Sequence, residues 1–299
     1  MNTNTTLTVI IPYFNQIRFA DDLLRNINSY ASEDVEVIIS DDCSTDDSEN
    51  FFRRNINTRH IKYQRNQSNI GARENVRQSA NFATGQYIIF CAGDDFLIPA
   101  GLKSLLESIG NDDDGETLHI CPGIICNREE NIEYLRSGRL KTRARVINIF
   151  PKIKNGEIPE LLFRAAVIPG YIWTQGLCVP ASIFKRSGFH KTGDVDDWGL
   201  LHNLYVLYKK EPFNVKLESK FLCSISNIPG SFGKDSVKQT ERQLFSIYEN
   251  WHSSLKIEAM HQVLAKKMLR NNKRVDETLE ILRMGLDYFE RLKRENLID

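Results

Sequence analysis

Two adjacent carboxylates, Asp94 and Asp95, stand in the stretch FCAGDDF and are the first candidates for chemistry in this chain. They follow a flexible Gly93 at the end of the apolar run YIIFC, which is typical of a buried strand. Acidic side chains at the end of a strand can hold a hard cation such as Mg²⁺ or Mn²⁺, which takes its other ligands from phosphate and water. They can also cap the next helix, which Pro99 is placed to begin. The residues themselves leave both alternatives open.

The elements that must position these residues are indicated by hydrophobic periodicity. Strands are predicted at 7–11, 35–40, 61–64 and 86–91, and helices at 19–31, at 71–83 and from Pro99 onward. Pro12 is expected to stop the first strand. The strict alternation of strand and helix predicts an α/β fold with a mostly parallel sheet that is covered by helices on both faces.

Polar residues cluster after each of these strands. The clusters are, in chain order, PYFNQ, DDCSTDD, NQSNIGAREN and AGDD. Each one alone fits a solvated loop equally well. The carboxyl ends of parallel strands meet at one edge of a sheet, where α/β proteins bind their ligands, so the four clusters together predict a functional crevice there.

The composition and the absent motifs exclude several classes of protein. The 299 residues include 39 Lys and Arg against 39 Asp and Glu, so the net charge does not favour nucleic acid as a partner. Neither a GxGxxG fingerprint nor a GxxxxGK(S/T) loop is present, which argues against an ordinary dinucleotide site and a P-loop. The six cysteines show no zinc spacing, and the first residues do not form a signal peptide. We therefore expect a cytoplasmic protein that is at most peripheral to a membrane.

Taken in order, the motifs resemble those of one family. Pro12-Tyr13-Phe14-Asn15 follows the first strand, and DDCSTD follows the second. NIG opens the helix predicted at 71–83, ATGQYI leads into the fourth strand, and AGDD ends that strand. With this order and spacing, residues 1–110 resemble the inverting nucleotide-sugar glycosyltransferases of family 2. The resemblance implies the GT-A fold, with a Rossmann-like, mostly parallel sheet flanked by helices.

The resemblance also implies roles for individual residues. The implied nucleotide-binding residues are Pro12, Phe14, Asn15, Asp41, Asp42, Asn69, Arg73 and Asp94, and the implied metal ligands are Asp94 and Asp95. Within this set, Asp42 would accept a hydrogen bond from the ring N–H of the nucleobase, and Arg73 would approach the diphosphate. Asp94 would hold Mn²⁺ or Mg²⁺ beneath that diphosphate. Ala92 stands where the family motif often begins with an acid, which leaves the metal affinity open.

A catalytic base is implied later in the chain. Family members carry a Glu-Asp pair at the start of a helix after a Gly-Phe segment, and this chain has Gly188-Phe189 followed by Asp196-Asp197. Asp197 matches the base, and Asp196 replaces the usual Glu. A carboxylate within hydrogen-bond reach of the acceptor hydroxyl would take its proton. The alternative is that the two acids only cap a helix.

These expectations divide the chain into three parts. Residues 1–110 would bind the nucleotide sugar, residues 111–235 would hold the acceptor and the base, and residues 236–299 would form a helical C-terminal extension. An apolar stripe within residues 275–289 of that extension is compatible with a homodimer. Basic residues between 128 and 145 fit either a solvated surface or a contact with anionic lipid or a phosphorylated acceptor.

The resemblance implies a UDP-linked sugar as donor and a hydroxyl group of a glycan, which can be lipid-linked, as acceptor. Two other classes of function stay open. A nucleotidyltransferase on a related fold would need a Gly-rich loop after the first strand, and PYFNQ is not one. A non-catalytic sugar-nucleotide binder or scaffold is suggested by Ala92 and by Asp196 in place of Glu, and it would bind nucleotide without turnover.

Overall fold

The computed structural model describes residues 5–112, 115–127, 129, 145–148, 157–167, 172–187 and 196–226. The expected helical extension (236–299), with the homodimer contact assigned to it, lies outside the described residues. So do Gly188-Phe189 and most of the basic segment 128–145.

Within the described residues, strands and helices alternate along the first part of the chain. The strands are β1 (Leu7–Tyr13), β2 (Val35–Asp41), β3 (Ile61–Arg65), β4 (Tyr87–Phe90), β5 (Phe96–Leu97), β6 (Leu118–Ile120), β7 (Gly123–Cys126), β8 (Arg145–Ile147), β9 (Leu177–Pro180), β10 (Val215–Leu217) and β11 (Cys223–Ser226). The helices are α1 (Ile17–Asn28), α2 (Ser48–Asn55), α3 (Ala72–Ala80), α4 (Pro99–Gly110), α5 (Ile158–Val167), α6 (Ala181–Ser187) and α7 (Asp196–Lys210). The strands β1 to β4 and the helices α1 and α3 agree with the periodicity of the sequence, and Pro99 opens α4 as expected. Helix α2 was not predicted.

The strands form two sheets. The larger has the order β10-β6-β9-β4-β1-β2-β3, and its pairs are parallel except for the two that β9 makes with β4 and β6. This arrangement confirms the expected mostly parallel sheet. A second, four-stranded sheet has the order β5-β11-β7-β8, and the sequence did not predict it.

Both faces of β1 and β2 are buried, which is why these strands are mostly apolar rather than alternating, with a few buried polar residues such as Glu36. Val9 and Ile11 belong to a core cluster that includes residues of α1, α2 and α4. Ile10, between them, belongs to the cluster on the opposite face, with residues of α3, α5, α6 and α7. Successive side chains of β1 therefore pack into two hydrophobic cores, one on each face of the sheet.

The expectation that Pro12 ends the first strand is wrong, because β1 continues to Tyr13 and Pro12 is in register with Ser40 of β2. The backbone N–H and C=O groups of the even-numbered residues of β1 point toward β4. For example, the Cys91 N–H donates to the Ile10 carbonyl (3.0 Å). The ladder with β4 stops at the pair Ile10–Phe90. The N–H that Pro12 lacks would therefore face a side where no strand partner remains.

Candidate active site

The crevice predicted at the carboxyl ends of the parallel strands is organised first by Asn15. This residue has φ +50°, a left-handed conformation that Asn tolerates better than most residues. Its N–H donates to Ser44 Oγ (2.9 Å), and its Oδ1 accepts from the Thr45 N–H (2.7 Å). Asn15 thus fastens the loop after β1 to the DDCSTD loop after β2.

Asp41, at the end of β2, is fully buried and supports the same loop from within. Its Oδ1 accepts from the N–H (2.8 Å) and the hydroxyl (2.6 Å) of Ser44, and its Oδ2 accepts from the Tyr63 hydroxyl. Burial raises the pKa of Tyr63, and its hydrogen bond to Asp41 raises that pKa further, so Tyr63 keeps the proton it donates. Asp41 therefore lies next to the crevice as a support of its wall.

Asp42 is 2% exposed and joins three segments of the chain. Its carboxylate accepts hydrogen bonds from the backbone N–H groups of Ile70 (2.9 Å) and Gly71 (2.8 Å) and from Asn66 Nδ2 (3.0 Å). The two backbone donors stand at the entrance of α3, where N–H groups have no partner within the helix and favour an anion. Gly71 precedes α3 with φ +85° and ψ 150°, a conformation open almost only to glycine.

A chain of polar contacts behind Asp42 was not found by sequence reasoning. Asn66 Nδ2 also donates to Asn75 Oδ1 (3.0 Å), and Asn75 binds Ser40 through the Ser40 hydroxyl (2.6 Å) and the Ser40 carbonyl (2.7 Å). Asn75 and Ser40 are buried. The only local signal for this network is the excess of Asn in the segment RNQSNIGAREN.

The other expected nucleotide-binding residues border the same loops. Phe14 is 43% exposed, which is unusual for a large aromatic side chain that follows a buried strand. Asn69 is exposed, and its Oδ1 accepts from the Gly71 N–H (3.2 Å). Arg73 lies in the first turn of α3, and its side chain is outside the described residues.

The AGDD turn follows β4 and packs against the first loop. A Cβ added to Gly93 would come within 2.8 Å of the Tyr13 ring and 2.4 Å of Gln16 Oε1, so only glycine fits this contact. The Asp95 N–H donates to the Ala92 carbonyl (3.0 Å) and closes the turn. Asp95 is 3% exposed, and its Oδ1 accepts from the Ser226 N–H at the end of β11 (2.8 Å). The turn is thereby fixed to both sheets.

The helix-cap alternative for the two acids is not what the structure shows. The N-cap residue of α4 is Ile98, and no side chain caps that helix with a hydrogen bond. The half-buried Asp94 and the buried Asp95 carry carboxylate oxygens, which Mg²⁺ and Mn²⁺ prefer as ligands. The described part of the chain holds no cluster of three or more His, Cys, Asp or Glu side chains arranged for a metal. Two carboxylates nevertheless fit a cation that completes its coordination with phosphate and water.

Asp196 and Asp197 are the first two residues of α7, and their side chains are outside the described residues. The rest of α7 is anchored in the core through Leu200, Leu201 and Leu204. None of the helices in the described ranges is long and apolar enough to cross a membrane.

Comparisons with known proteins agree with this geometry. The family model described as "Glycosyl transferase family 2" matches residues 8–191. The GalNAc(5)-diNAcBac-PP-undecaprenol beta-1,3-glucosyltransferase of Campylobacter jejuni is 27% identical over 213 residues, which are 70% of this chain and 62% of the relative. Abequosyltransferase RfbV of Salmonella typhimurium is 34% identical over 104 residues, which are 33% of this chain and 31% of the relative. The matches thus span about three fifths of the first relative and about a third of the second.

Solved structures share the fold. TarS 1-349 of S. aureus, in complex with UDP-GlcNAc, superimposes with a TM-score of 0.59 at 15% identity, over 91% of this chain and 74% of that one. Mannosyltransferase PcManGT of Pyrobaculum calidifontis, in complex with GDP-Man and Mn²⁺, superimposes with a TM-score of 0.56 at 13% identity, over 94% of this chain and 74% of that one. The motif order, the sheet and these matches together establish that the chain belongs to glycosyl transferase family 2 and has the GT-A fold.

Proposed function

We propose that this protein is a metal-assisted, inverting glycosyltransferase that moves a sugar from a UDP-linked donor to a hydroxyl group of a glycan. The observation that carries the proposal is the arrangement at one edge of the sheet. There, Asp42 is held by N–H donors beside Gly71, and the AGDD turn packs on Tyr13 through Gly93. Membership in the family supports sugar transfer as the reaction.

The donor nucleotide would lie across the loops after β1, β2 and β3. Asp42 accepts the ring N–H of the base in this proposal, and the exposed ring of Phe14 offers a flat apolar surface to the base or ribose. Pro12, Asn15 and Asp41 shape the pocket, and Asn69 borders it. Arg73, in the first turn of α3, would approach the diphosphate, because the N-terminus of a helix favours negative charge.

The diphosphate would meet the metal at the AGDD turn. Asp94 would be the main ligand, and Asp95, which the Ser226 N–H holds in place, would be the second. When bound, Mn²⁺ or Mg²⁺ neutralises the negative charge that grows on the leaving diphosphate.

The acceptor would be activated from α7. The oxygen of the acceptor hydroxyl forms a bond to the anomeric carbon, and the carboxylate of Asp197 takes the proton of that hydroxyl at the same time. The bond between that carbon and the phosphate oxygen breaks, and its electron pair leaves with UDP. Asp196 is adjacent to this base in the sequence and completes the acidic pair. One displacement without an enzyme nucleophile inverts the anomeric centre.

The acceptor class is proposed from a relative. The name of the Campylobacter jejuni relative describes a glucosyltransferase acting on an undecaprenol-linked glycan. We accordingly propose a glycan acceptor that is lipid-linked, within the synthesis of a surface polysaccharide or glycoconjugate. The basic segment 128–145 would contact the cytoplasmic face of the membrane that carries it.

A thermal-shift screen with UDP, GDP, dTDP and CMP, each with and without Mn²⁺, tests the donor site. We expect stabilisation by UDP that depends on Mn²⁺ and is lost in Asp94→Asn, since a ligand that binds only the folded state raises its stability. Asp21→Asn is the matched control, because Asp21 lies on the exposed side of α1 in a surface ion pair with Arg25 (2.6 Å). An absence of any nucleotide effect on the wild-type protein would contradict the proposal.

Release of UDP from UDP-sugars, measured with a panel of lipid-linked glycans, tests catalysis. We expect turnover in the wild-type protein and a loss of about 10²-fold or more in Asp197→Asn, with UDP binding retained. Binding of UDP without turnover on any acceptor would instead favour the non-catalytic binder.

A further inference from the structure

The hydrogen-bonding capacity of Asp42 is almost completely used by the protein itself. Among the described residues, Oδ1 accepts from Asn66 Nδ2 (3.0 Å) and from the Ile70 N–H (2.9 Å), whereas Oδ2 accepts from the Gly71 N–H alone (2.8 Å). A carboxylate offers about four lone-pair positions, two on each oxygen. The part of the chain that the structure describes therefore leaves one position, on Oδ2.

Open volume adjoins that oxygen. A Cβ built on Gly71 would meet no atom within 4 Å, so the space beside its backbone is empty. Gly71 is also the residue whose N–H reaches Oδ2. The backbone that binds Oδ2 therefore borders open space.

The orientation of the Asn66 amide is fixed by its surroundings. The backbone carbonyl of Ser40 can only accept a hydrogen bond, so Asn75 must present Nδ2 to it (2.7 Å) and Oδ1 to Asn66. Asn66 must then present Nδ2 to Asn75 Oδ1 (3.0 Å), and the second hydrogen of Nδ2 meets Asp42 Oδ1. Both hydrogens of this amide are used, and neither can rotate toward a ligand without the loss of a partner.

We propose that Asn66 sets the base selectivity of the donor site, because it fills Oδ1 of Asp42 and leaves room for one incoming N–H. Uracil and thymine present one ring N–H, whereas guanine presents two parallel donors, its N1–H and its 2-amino group. The inference rests on the proposed function, since it takes Asp42 as the group that meets the base. Asn66 is a positioning residue, which acts through Asp42 and does not touch the nucleotide.

Isothermal titration with UDP and with GDP, both in the presence of Mn²⁺, tests the proposal on the wild-type protein and on Asn66→Ala. The ratio of UDP affinity to GDP affinity should favour UDP in the wild type and fall about tenfold or more in the variant, which corresponds to about one hydrogen bond. Asn66→Ser keeps one donor and should give an intermediate ratio. Asn55→Ala is the matched control, since Asn55 only donates to the Phe51 carbonyl on the exposed side of α2 (2.8 Å).

A second measurement needs no variant and therefore does not depend on how Asn66→Ala folds. UDP methylated at N3 has no ring N–H, and we expect the wild-type protein to bind it about tenfold or more weakly than UDP. Equal binding of the methylated and unmethylated nucleotides would overturn the inference.

The remaining outcomes separate this inference from the proposed function. A wild-type protein that binds UDP, combined with an unchanged UDP-to-GDP ratio in Asn66→Ala, overturns the inference alone. A wild-type protein that prefers GDP overturns it as well. A wild-type protein that binds no nucleotide overturns the proposed function and the inference together.

Discussion

Strand β2 and the residue after it carry buried carboxylates near both ends, and the two ends behave differently. Near the amino end, Glu36 is 5% exposed. Its Oε1 accepts from Thr8 Oγ1 (2.6 Å) and from the N–H (2.6 Å) and hydroxyl (2.8 Å) of Thr84, and its Oε2 accepts from Lys62 Nζ (2.6 Å). Asp42, after the carboxyl end, is equally buried and also accepts several hydrogen bonds.

The difference lies in where the donors come from and what adjoins them. The donors of Glu36 belong to β1, β3 and the turn before β4, and together they clamp neighbouring segments of the sheet. The donors of Asp42 include the N–H groups at the entrance of α3, beside open volume at Gly71. Burial and hydrogen bonding alone therefore do not mark a binding site. The feature that we propose for a binding site is an acceptor position that the described residues leave unfilled, next to open space.

The largest expected effect is on stability, at Glu36 and its donors Thr8, Lys62 and Thr84, which we call the clamp. Glu36→Ala removes the acceptor of Thr8, Thr84 and Lys62 and should lower the free energy of unfolding by about 3 kcal/mol, since buried polar groups lose their partner. Chemical denaturation measures this loss. UDP affinity of the folded variant should be unchanged. Glu33→Ala is the control, because Glu33 is an exposed partner of Arg59. A tenfold loss of UDP affinity in Glu36→Ala would contradict the distinction between a structural Glu36 and a nucleotide-binding Asp42.

At the crevice end, the larger effect should be on binding. Asp42→Asn replaces one carboxylate oxygen with an NH2 group and removes the negative charge. It should weaken UDP binding by about 2–3 kcal/mol, or about 30- to 150-fold, because the base loses its hydrogen bond to a charged acceptor. Titration calorimetry measures the change. The amide oxygen can still accept from Ile70 and Asn66. Unchanged UDP affinity would show that Asp42 is a clamp like Glu36.

The sequence was informative where the signal is local. Runs rich in apolar residues around β1, β2, β3 and β4, which alternate with helical periodicity, predicted the parallel sheet, because strands that are buried on both faces are mostly apolar. The placement of Asp42 and Asp94 at the crevice followed from the motifs at the strand ends.

Contacts between distant segments could not be predicted in the same way. Ser40 and Asn75 are 35 residues apart and meet only because α3 packs beside β2. Asp95 and the Ser226 N–H are 131 residues apart and meet through the second sheet, whose strand β5 has only 2 residues. Such short strands carry no periodicity, and their pairing depends on tertiary packing.

A substitution at Gly71 tests, through a smaller effect, whether the open space near Asp42 belongs to the donor site. Gly71→Ala should destabilise the fold by about 1–3 kcal/mol through backbone strain at φ +85°, and it should also weaken UDP binding, because it places a methyl group in the open volume beside Asp42. Gly115→Ala is the matched control, since Gly115 has φ +62° and also no atom within 4 Å of an added Cβ. Thermal unfolding should detect a loss in both variants, and titration should detect weaker UDP binding in Gly71→Ala alone. Equal UDP affinity in the two would place the open volume outside the donor site.

The smallest expected effect is on the pH dependence of the unfolding free energy, which isolates the contribution of the Glu36 charge. Burial by itself would raise the pKa of Glu36, but hydrogen bonds from Lys62, Thr8 and Thr84 outweigh it and leave the pKa below the ordinary value of 4.5. A carboxyl group whose pKa is lower in the folded state stabilises the fold above its ordinary pKa, and that contribution is lost as the pH falls through the folded value. Unfolding free energies measured from about pH 6 down to about pH 3 should therefore fall more steeply in the wild type than in Glu36→Gln. The variant should keep some slope, because the pKa of Glu218 is also lowered: burial opposes this, but hydrogen bonds from His119 and Ser108 prevail. Parallel curves would mean that Glu36 acts through the shape of its contacts and not through its charge.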